Sequence, residues 1–554
     1  MNTIKIYFPN GDSLDCPFGT PAATLSGHFD ENRKNELVAV KVNNEIRPIF
    51  TLLETNAKVE PVFLKSPEGA MVYRRSLAYL LAIASHDLLP ERSLYIGHSL
   101  GNTYYYTFED EEKSPTKEEV AALKAHMEKI VAEDHVISLN YMAYTEALDL
   151  FEKKGQTDTK LLLDERNDAI IKINECRGFT DLYVEALVPS TGFLKVFDLL
   201  PYKEGLLLCF PSSRGNGELD PFKDNPKIFE VYHEYKRWGR NLGIHAVGNL
   251  NRLIRERKIK EFIWLSETFQ AKKLSHIADS ICEKQDKIKV VLIAGPSSSG
   301  KTTTAKRLSI ELKALGIEPI AIGLDNYYVN SDKTPRDEKG EPDYECLEAL
   351  DVAFFNEQLL ALFNGDEITL PEYDFRTGMR REQGNKKIKL GKRNILVVEG
   401  IHGLNDAMTA QIDHEKKFKL YVSALTQLNL DDHNRIPTTD NRLLRRMVRD
   451  YQFRGMSAAQ TLKMWPNVQR GERKYIFPFQ NSSDIAFNSA LSYELAVLKF
   501  YAEPLLHSVK PNVPEYAEAM RLRSFLENFA PIPPQLVPGQ SILREFIGES
   551  QFKY

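Results

Sequence analysis

KVVLIAGPSSSGKTTTAKRL, residues 289–308, passes from an apolar run through a glycine-bracketed turn into a helical pattern. Its centre, Gly295-Pro296-Ser297-Ser298-Ser299-Gly300-Lys301-Thr302, is a G-x-x-x-x-G-K-[ST] phosphate-binding loop. The two glycines let the backbone wrap close to a polyphosphate. The N–H groups that open the following helix then point at the anion with the helix dipole behind them. Candidate nucleotide-phosphate contacts are Gly295, Ser297, Ser298, Ser299, Gly300, Lys301, Thr302 and Thr303. Lys301 is placed to reach the β- and γ-phosphates of ATP, and Thr302 to hold Mg²⁺. Lys289 to Ala294 reads as a buried strand, and Ala305, Leu308, Leu312 and Leu315 fall on one helical face closed by Gly316.

Outward from this stretch, residues 284–510 alternate strand and helix, as a doubly wound parallel sheet does. Pro319 to Leu324 reads as a strand that ends at Asp325-Asn-Tyr-Tyr328. A right-handed crossover brings that end to the phosphate side of the sheet, where Asp325 can accept the proton of an attacking hydroxyl. Asn394 to Val398 reads as a third strand, ending at Glu399, a carboxylate suited to Mg²⁺ through water. Arg442, Arg445, Arg446 and Arg449 stand at i, i+3, i+4 and i+7, one face of a helix. Guanidinium forks match phosphate oxygens, so this helix is expected to close over the site as a basic lid.

The bulk numbers exclude some classes. With 72 basic and 77 acidic residues among 554, the net charge of −5 does not favour wholesale binding of nucleic acid or acidic membrane. Cys16, Cys176, Cys209, Cys282 and Cys346 form no C-x-x-C pair, which fits a reducing compartment. The N-terminus carries charges where a signal peptide needs an apolar core, and no run approaches about 18 apolar residues. A cytoplasmic protein without a membrane segment is expected.

In front of the loop, residues 1–62 alternate short strands, Thr3 to Phe8 and Leu37 to Val42, with turns at Asn10-Gly11 and Asn43-Asn44. This stretch resembles the β-grasp TGS module. Residues 63–215 carry YRRSLAYLLA (73–82), IGHSLGNTYYYTF (96–108) and DLYVEALVPSTGFLKVF (181–197), and resemble the second N-terminal, editing domain of threonyl-tRNA synthetases. Where that family has its His-x-x-x-His and Cys-x-x-x-His pairs, this chain has Arg75, Tyr79, Tyr183 and Leu187. Arginine and leucine offer neither metal ligand nor neutral base near pH 7, so a binding or structural α+β domain is expected. Residues 216–283 read as a helical linker whose basic stretch NLNRLIRERKIKEF is a solvated face, and residues 511–554 as a tail packed on the 284–510 region.

The 284–510 region itself resembles the uridine kinase and phosphoribulokinase family. AGPSSSGKTT, LDNYY, DYECLEALD (343–351), LPEYDF (370–375), LVVEGIHGL (396–404) and the arginine-rich helix reaching Arg454 and Gln460 carry the likeness. By that resemblance Asp325 is the general base, Thr302 and Glu399 serve Mg²⁺, and Lys301 and Arg445 act on phosphate. Tyr328, Tyr344, Glu345, Tyr373, Arg442, Arg454 and Gln460 are implied to line the nucleoside side. Two positions depart from the pattern: Glu345 replaces an aspartate that holds sugar hydroxyls, and Gly378 stands where a histidine contacts the pyrimidine. The expected activity is ATP- and Mg²⁺-dependent phosphorylation of a nucleoside 5′-hydroxyl, with uridine or cytidine the first candidates. A sugar-phosphate acceptor, or a regulatory NTPase whose front domains contact RNA, remain as alternatives, and a homo-oligomer is allowed.

Overall fold

The computed structural model describes residues 3–108, 114–212, 217–337, 340–374 and 377–553. The expected border at 215/216 and Phe375 of the LPEYDF segment fall outside these residues.

The front region is β-grasp-like. Strands Ser13–Pro17, Thr3–Tyr7, Ala57–Phe63, Leu37–Val42 and Glu45–Pro48 form one sheet in that spatial order, with Thr3–Tyr7 and Ala57–Phe63 parallel and the other pairs antiparallel. Ile4 and Ile6 alternate inward, as a half-buried strand requires. The next region is α+β: helix Pro67–Leu88, entered through a Ser66 cap, packs with an antiparallel sheet of Leu94–Ser99, Thr103–Phe108, Gly205–Cys209 and Asp198–Tyr202.

In the region of the phosphate-binding loop five strands are parallel throughout: β1 Val290–Ala294, β2 Glu318–Gly323, β3 Asn394–Glu399, β4 Lys417–Ser423 and β5 Ile485–Asn488. Their spatial order is β2-β3-β1-β4-β5. Such a sheet is covered on both faces, and β1 is accordingly apolar and buried at every position. The flanking helices that matter below are α1 Lys301–Ala314, α2 Thr438–Arg454, α3 Ala458–Tyr475, α4 Glu494–His507, α5 Tyr516–Glu527 and α6 Arg544–Ile547.

The expected linker proves to be part of the core, and the tail packs into the same core. The linker is three helices, Pro226–Asn241, Val247–Arg255 and Ile259–Cys282, and its basic stretch straddles a break at Arg257, whose φ is +62°. The charges do face solvent, but Val247, Leu250, Ile259, Phe262 and Ile263 join the same apolar cluster as β1 and α1. The tail adds α5 and α6, and Leu522, Leu526, Ile542, Leu543 and Phe546 are fully buried in that cluster too. Truncating Leu543 to Ala should therefore lower unfolding stability by about 2–5 kcal/mol, read as a reduced urea midpoint. A midpoint equal to wild type would return the tail to the status of an appendage.

Candidate active site

Strand register assembles the site. Glu399 at the end of β3 pairs across to Ile293 of β1 on one side and Gly323 of β2 on the other. The phosphate-binding loop, Asp325 and Glu399 therefore leave the same carboxyl edge of the sheet, the edge where open α/β sheets bind ligands. Gly295 is required by close approach: a Cβ there would lie 2.0 Å from the Val422 carbonyl oxygen of β4. Gly300 is required by conformation, with φ +82° at the residue that opens α1. Ser298 takes φ +58°, a left-handed value a serine adopts only when its surroundings impose it.

Those surroundings are visible in the loop carbonyls, each of which is bonded. The Lys301 ammonium donates to the carbonyls of Gly295 (3.0 Å) and Pro296 (3.2 Å). Arg442 Nε donates to the Ser297 carbonyl at 3.0 Å, and Arg445 Nη1 to that of Ser298 at 3.3 Å. The Ser489 hydroxyl donates to the Ser299 carbonyl, and Thr304 donates to that of Gly300. The Ser299 N–H in turn donates to the Pro296 carbonyl at 3.2 Å. Arg442 and Arg445 are buried, paired with Glu472 and Glu494 respectively, the second pair at 2.6 Å. Glu472 also accepts the Ser297 N–H at 2.9 Å, and Arg446 donates to the Ser297 hydroxyl at 2.7 Å.

The arginine helix thus differs from a lid. Arg442 and Arg445 hold the loop's backbone from beneath rather than lining an acceptor pocket or an open phosphate site. The helical spacing was readable from sequence, but the partners Glu472, Ser489 and Glu494 lie 30 to 49 positions away and carry no motif.

Carboxylates dominate the rest of the edge. The Thr302 hydroxyl donates to Glu399 Oε1 at 2.9 Å. Burial pushes the Glu399 carboxyl up to about 7, with the Asp325 charge adding to it and Lys301 and Thr302 opposing. Asp325 is exposed by area, yet the cleft removes enough water to raise its carboxyl, against the pull of Lys301, Arg454 and Arg449. Among the described residues no three His, Cys, Asp or Glu side chains converge as a metal cage. A hydroxyl and a carboxylate in contact beside a phosphate loop fit Mg²⁺, which keeps waters and takes its remaining oxygens from substrate phosphates.

Of the residues expected to line the nucleoside, the structure brings three tyrosines together. Tyr328 meets Tyr344 edge-on at 6.0 Å and Tyr373 at 5.5 Å between ring centroids, and the Tyr328 hydroxyl donates to the Tyr344 carbonyl. Glu345 adjoins them, its carboxyl raised to about 7 by burial and by Glu472. Gly378 sits at φ +68° in the turn between Glu372–Asp374 and Met379–Arg381, so it serves the turn and offers only backbone. Arg454 is half-exposed beside Asp450 and acts on Asp325 by its charge. Gln460 is exposed, its carboxamide accepting from the Ser457 N–H as the capping box of α3, and is not brought into the tyrosine cluster.

In the front region Arg75 pairs with Glu185, and the Tyr79 hydroxyl donates to the Phe179 carbonyl. Leu187 is buried. The cleft they border is closed by His433, from the loop that joins β4 to α2, in a 3.1 Å contact with Asp181. Burial pushes the His433 imidazole down, but Asp181, Asp432 and Asp431 outweigh it and hold it at about 9, protonated at neutral pH. Sequence reading gave no hint of His433.

A sheet of this order with a phosphate loop at its central strand and an Asp and a Glu at neighbouring strand ends has the arrangement of a P-loop phosphotransferase. Residues 290–495 match the phosphoribulokinase / uridine kinase family, and that region is a kinase domain of this family. The N-terminal region is homologous to threonyl-tRNA synthetases. A threonine–tRNA ligase of Carboxydothermus hydrogenoformans is 30% identical over 198 residues, 36% of this chain and 31% of the ligase. That of Lawsonia intracellularis is 34% identical over 192 residues, 34% of this chain and 30% of the ligase. The chain thus spans about a third of the length of these relatives. Among solved structures, one titled a "possible uridine kinase" from Bacillus stearothermophilus aligns with 39% of this chain and all of that chain at 21% identity and TM-score 0.27. A D-glycerate 3-kinase from Cryptococcus neoformans aligns with 46% of this chain and 87% of that chain at 14% identity and TM-score 0.22.

Two outcomes follow from the charges. Replacing Arg445 by Met leaves Glu494 buried without its partner, so unfolding stability should drop by about 3–5 kcal/mol in chemical denaturation; a drop under about 1 kcal/mol would mean the loop does not depend on it. Glu345 has a folded pKa raised from 4.5 to about 7, so the fold binds the extra proton and loses stability as pH rises through that window. The E345Q variant should melt with wild type near pH 5 and above it at pH 8, a difference that thermal scans at the two pH values would read.

Proposed function

We propose that this chain is an ATP- and Mg²⁺-dependent kinase that phosphorylates a nucleoside 5′-hydroxyl, with uridine or cytidine as first substrates to try. The observation that carries the reading is the alignment of Asp325, Glu399 and Thr302 along one sheet edge beside Lys301. A pure nucleotide switch needs no acceptor wall, whereas Tyr328, Tyr344 and Tyr373 supply one next to Asp325.

In this reading the acceptor hydroxyl attacks the γ-phosphorus, the bond from phosphorus to the β,γ-bridging oxygen breaks, and ADP leaves. Asp325 takes the hydroxyl proton, and its raised carboxyl range brings it closer to the working pH of a general base. Thr302 and Glu399 would hold Mg²⁺, which neutralises charge on the transferring group. Lys301 would leave the Gly295 and Pro296 carbonyls for the phosphates, and the loop amides would take the oxygens. Base choice is looser than in a pocket with a polar side chain at position 378, because glycine there cannot discriminate by a buried hydrogen bond. A sugar phosphate is the second reading, favoured by Arg449 and Arg454, whose charges reach Asp325 and would suit an acceptor's own phosphate.

A screen of nucleosides and sugar phosphates for stimulated ADP release, with product analysis, separates the two acceptors. Asp325→Asn should cut turnover by about 10²–10⁴ while Mg·ATP binding stays within a few-fold of wild type. Near-wild-type turnover in that variant would remove Asp325 from the base role.

A further inference from the structure

The end of the chain reaches the phosphate-binding loop. Ile542, Leu543, Phe546 and Ile547 are buried, which fixes α6 against the kinase core and carries Glu545 to the first turn of α1. There the Glu545 carboxylate accepts from the Thr303 N–H at 3.0 Å and from the Thr303 hydroxyl at 2.6 Å. Ile542 stands so close to Gly300 that a Cβ on the glycine would lie 2.6 Å from its Cγ2, and Phe546 lies 4.9 Å from the Arg445 guanidinium. The segment thus touches the loop at Gly300, the helix it opens at Thr303, and α2 at Arg445.

An N–H in the opening turn of the helix after a phosphate loop is a donor that a nucleotide phosphate oxygen takes. A carboxylate matches that oxygen in charge sign and in acceptor chemistry, and it is stabilised there by the same helix dipole. We propose that Glu545 is an internal competitor for the donor nucleotide: it satisfies Thr303 while the loop is empty, and a donor phosphate must displace it. The C-terminal segment thereby sets nucleotide affinity at the site proposed above, and the inference rests on that reading. The arrangement serves two states in opposite senses. Without nucleotide, Glu545 caps α1, whose N-cap residue Gly300 has no side chain to do so. With nucleotide, the same carboxylate opposes binding.

The test is direct titration of Mg·ADP into full-length wild type, E545Q, E545D and K301A, with apo melting temperatures alongside. Glutamine keeps the shape and loses the charge, so E545Q should bind Mg·ADP about 3- to 10-fold tighter while its apo form melts no higher than wild type. Aspartate draws the carboxylate back by one methylene, and E545D should bind with an affinity between the two. Equal or weaker binding by E545Q, with wild type binding and K301A impaired, overturns the competitor role and leaves the phosphate-loop reading standing. If no protein binds Mg·ADP, or K301A binds as wild type does, the kinase reading itself fails and this inference with it.

Discussion

The site depends on one constraint: every backbone carbonyl from Gly295 to Gly300 must find a donor in the shape the loop takes. Six consecutive carbonyls find donors in Lys301, Arg442, Arg445, Ser489 and Thr304. An unpaired buried backbone group costs about as much as a lost hydrogen bond, so the set is enforced residue by residue. Two of the donors are buried arginines, and their charges require the buried acids Glu472 and Glu494 in turn. The loop's shape is therefore written partly in α2, α3 and α4, well away from the motif.

The same edge gathers negative charge. Asp325, Glu399 and Glu545 stand around Lys301 and Thr302, and Glu399 responds to both of the other acids. Such a cluster opposes a polyphosphate, and Lys301 is a cation whose charge works against both Asp325 and Glu399 there. The acids are not interchangeable: Glu399 touches the Thr302 hydroxyl, Asp325 lies toward the tyrosines, and Glu545 covers the first turn of α1.

The front region is joined to this edge by the loop between β4 and α2. Asn429 donates to the Ile96 carbonyl at 2.8 Å, Asp432 accepts from Thr159, and His433 meets Asp181. β4 begins this connection beside the phosphate loop and α2 ends it there.

Several elements were legible in the residue pattern alone. The phosphate loop, the buried run of β1 and the i, i+3, i+4, i+7 arginines carry their meaning at short range, because strand burial and helical spacing are local periodicities. The two carboxylates at strand ends were legible for the same reason, since a parallel sheet has one ligand-binding edge. What the arginines do was not local: burial beneath the loop, against acids tens of residues away, turned an expected lid into a support. Gln460 likewise became a helix cap and Gly378 a turn, each through a neighbour only a few residues off. Which core the apolar residues of the linker and tail join is decided by contacts between distant segments, which leave no local pattern. By itself the sequence determined a phosphate-binding α/β domain behind an altered synthetase-like front. Tertiary structure alone decided that Glu545, some 240 positions beyond the loop, rests on its first helical turn, because side-chain hydrogen bonds between distant segments leave no periodic trace.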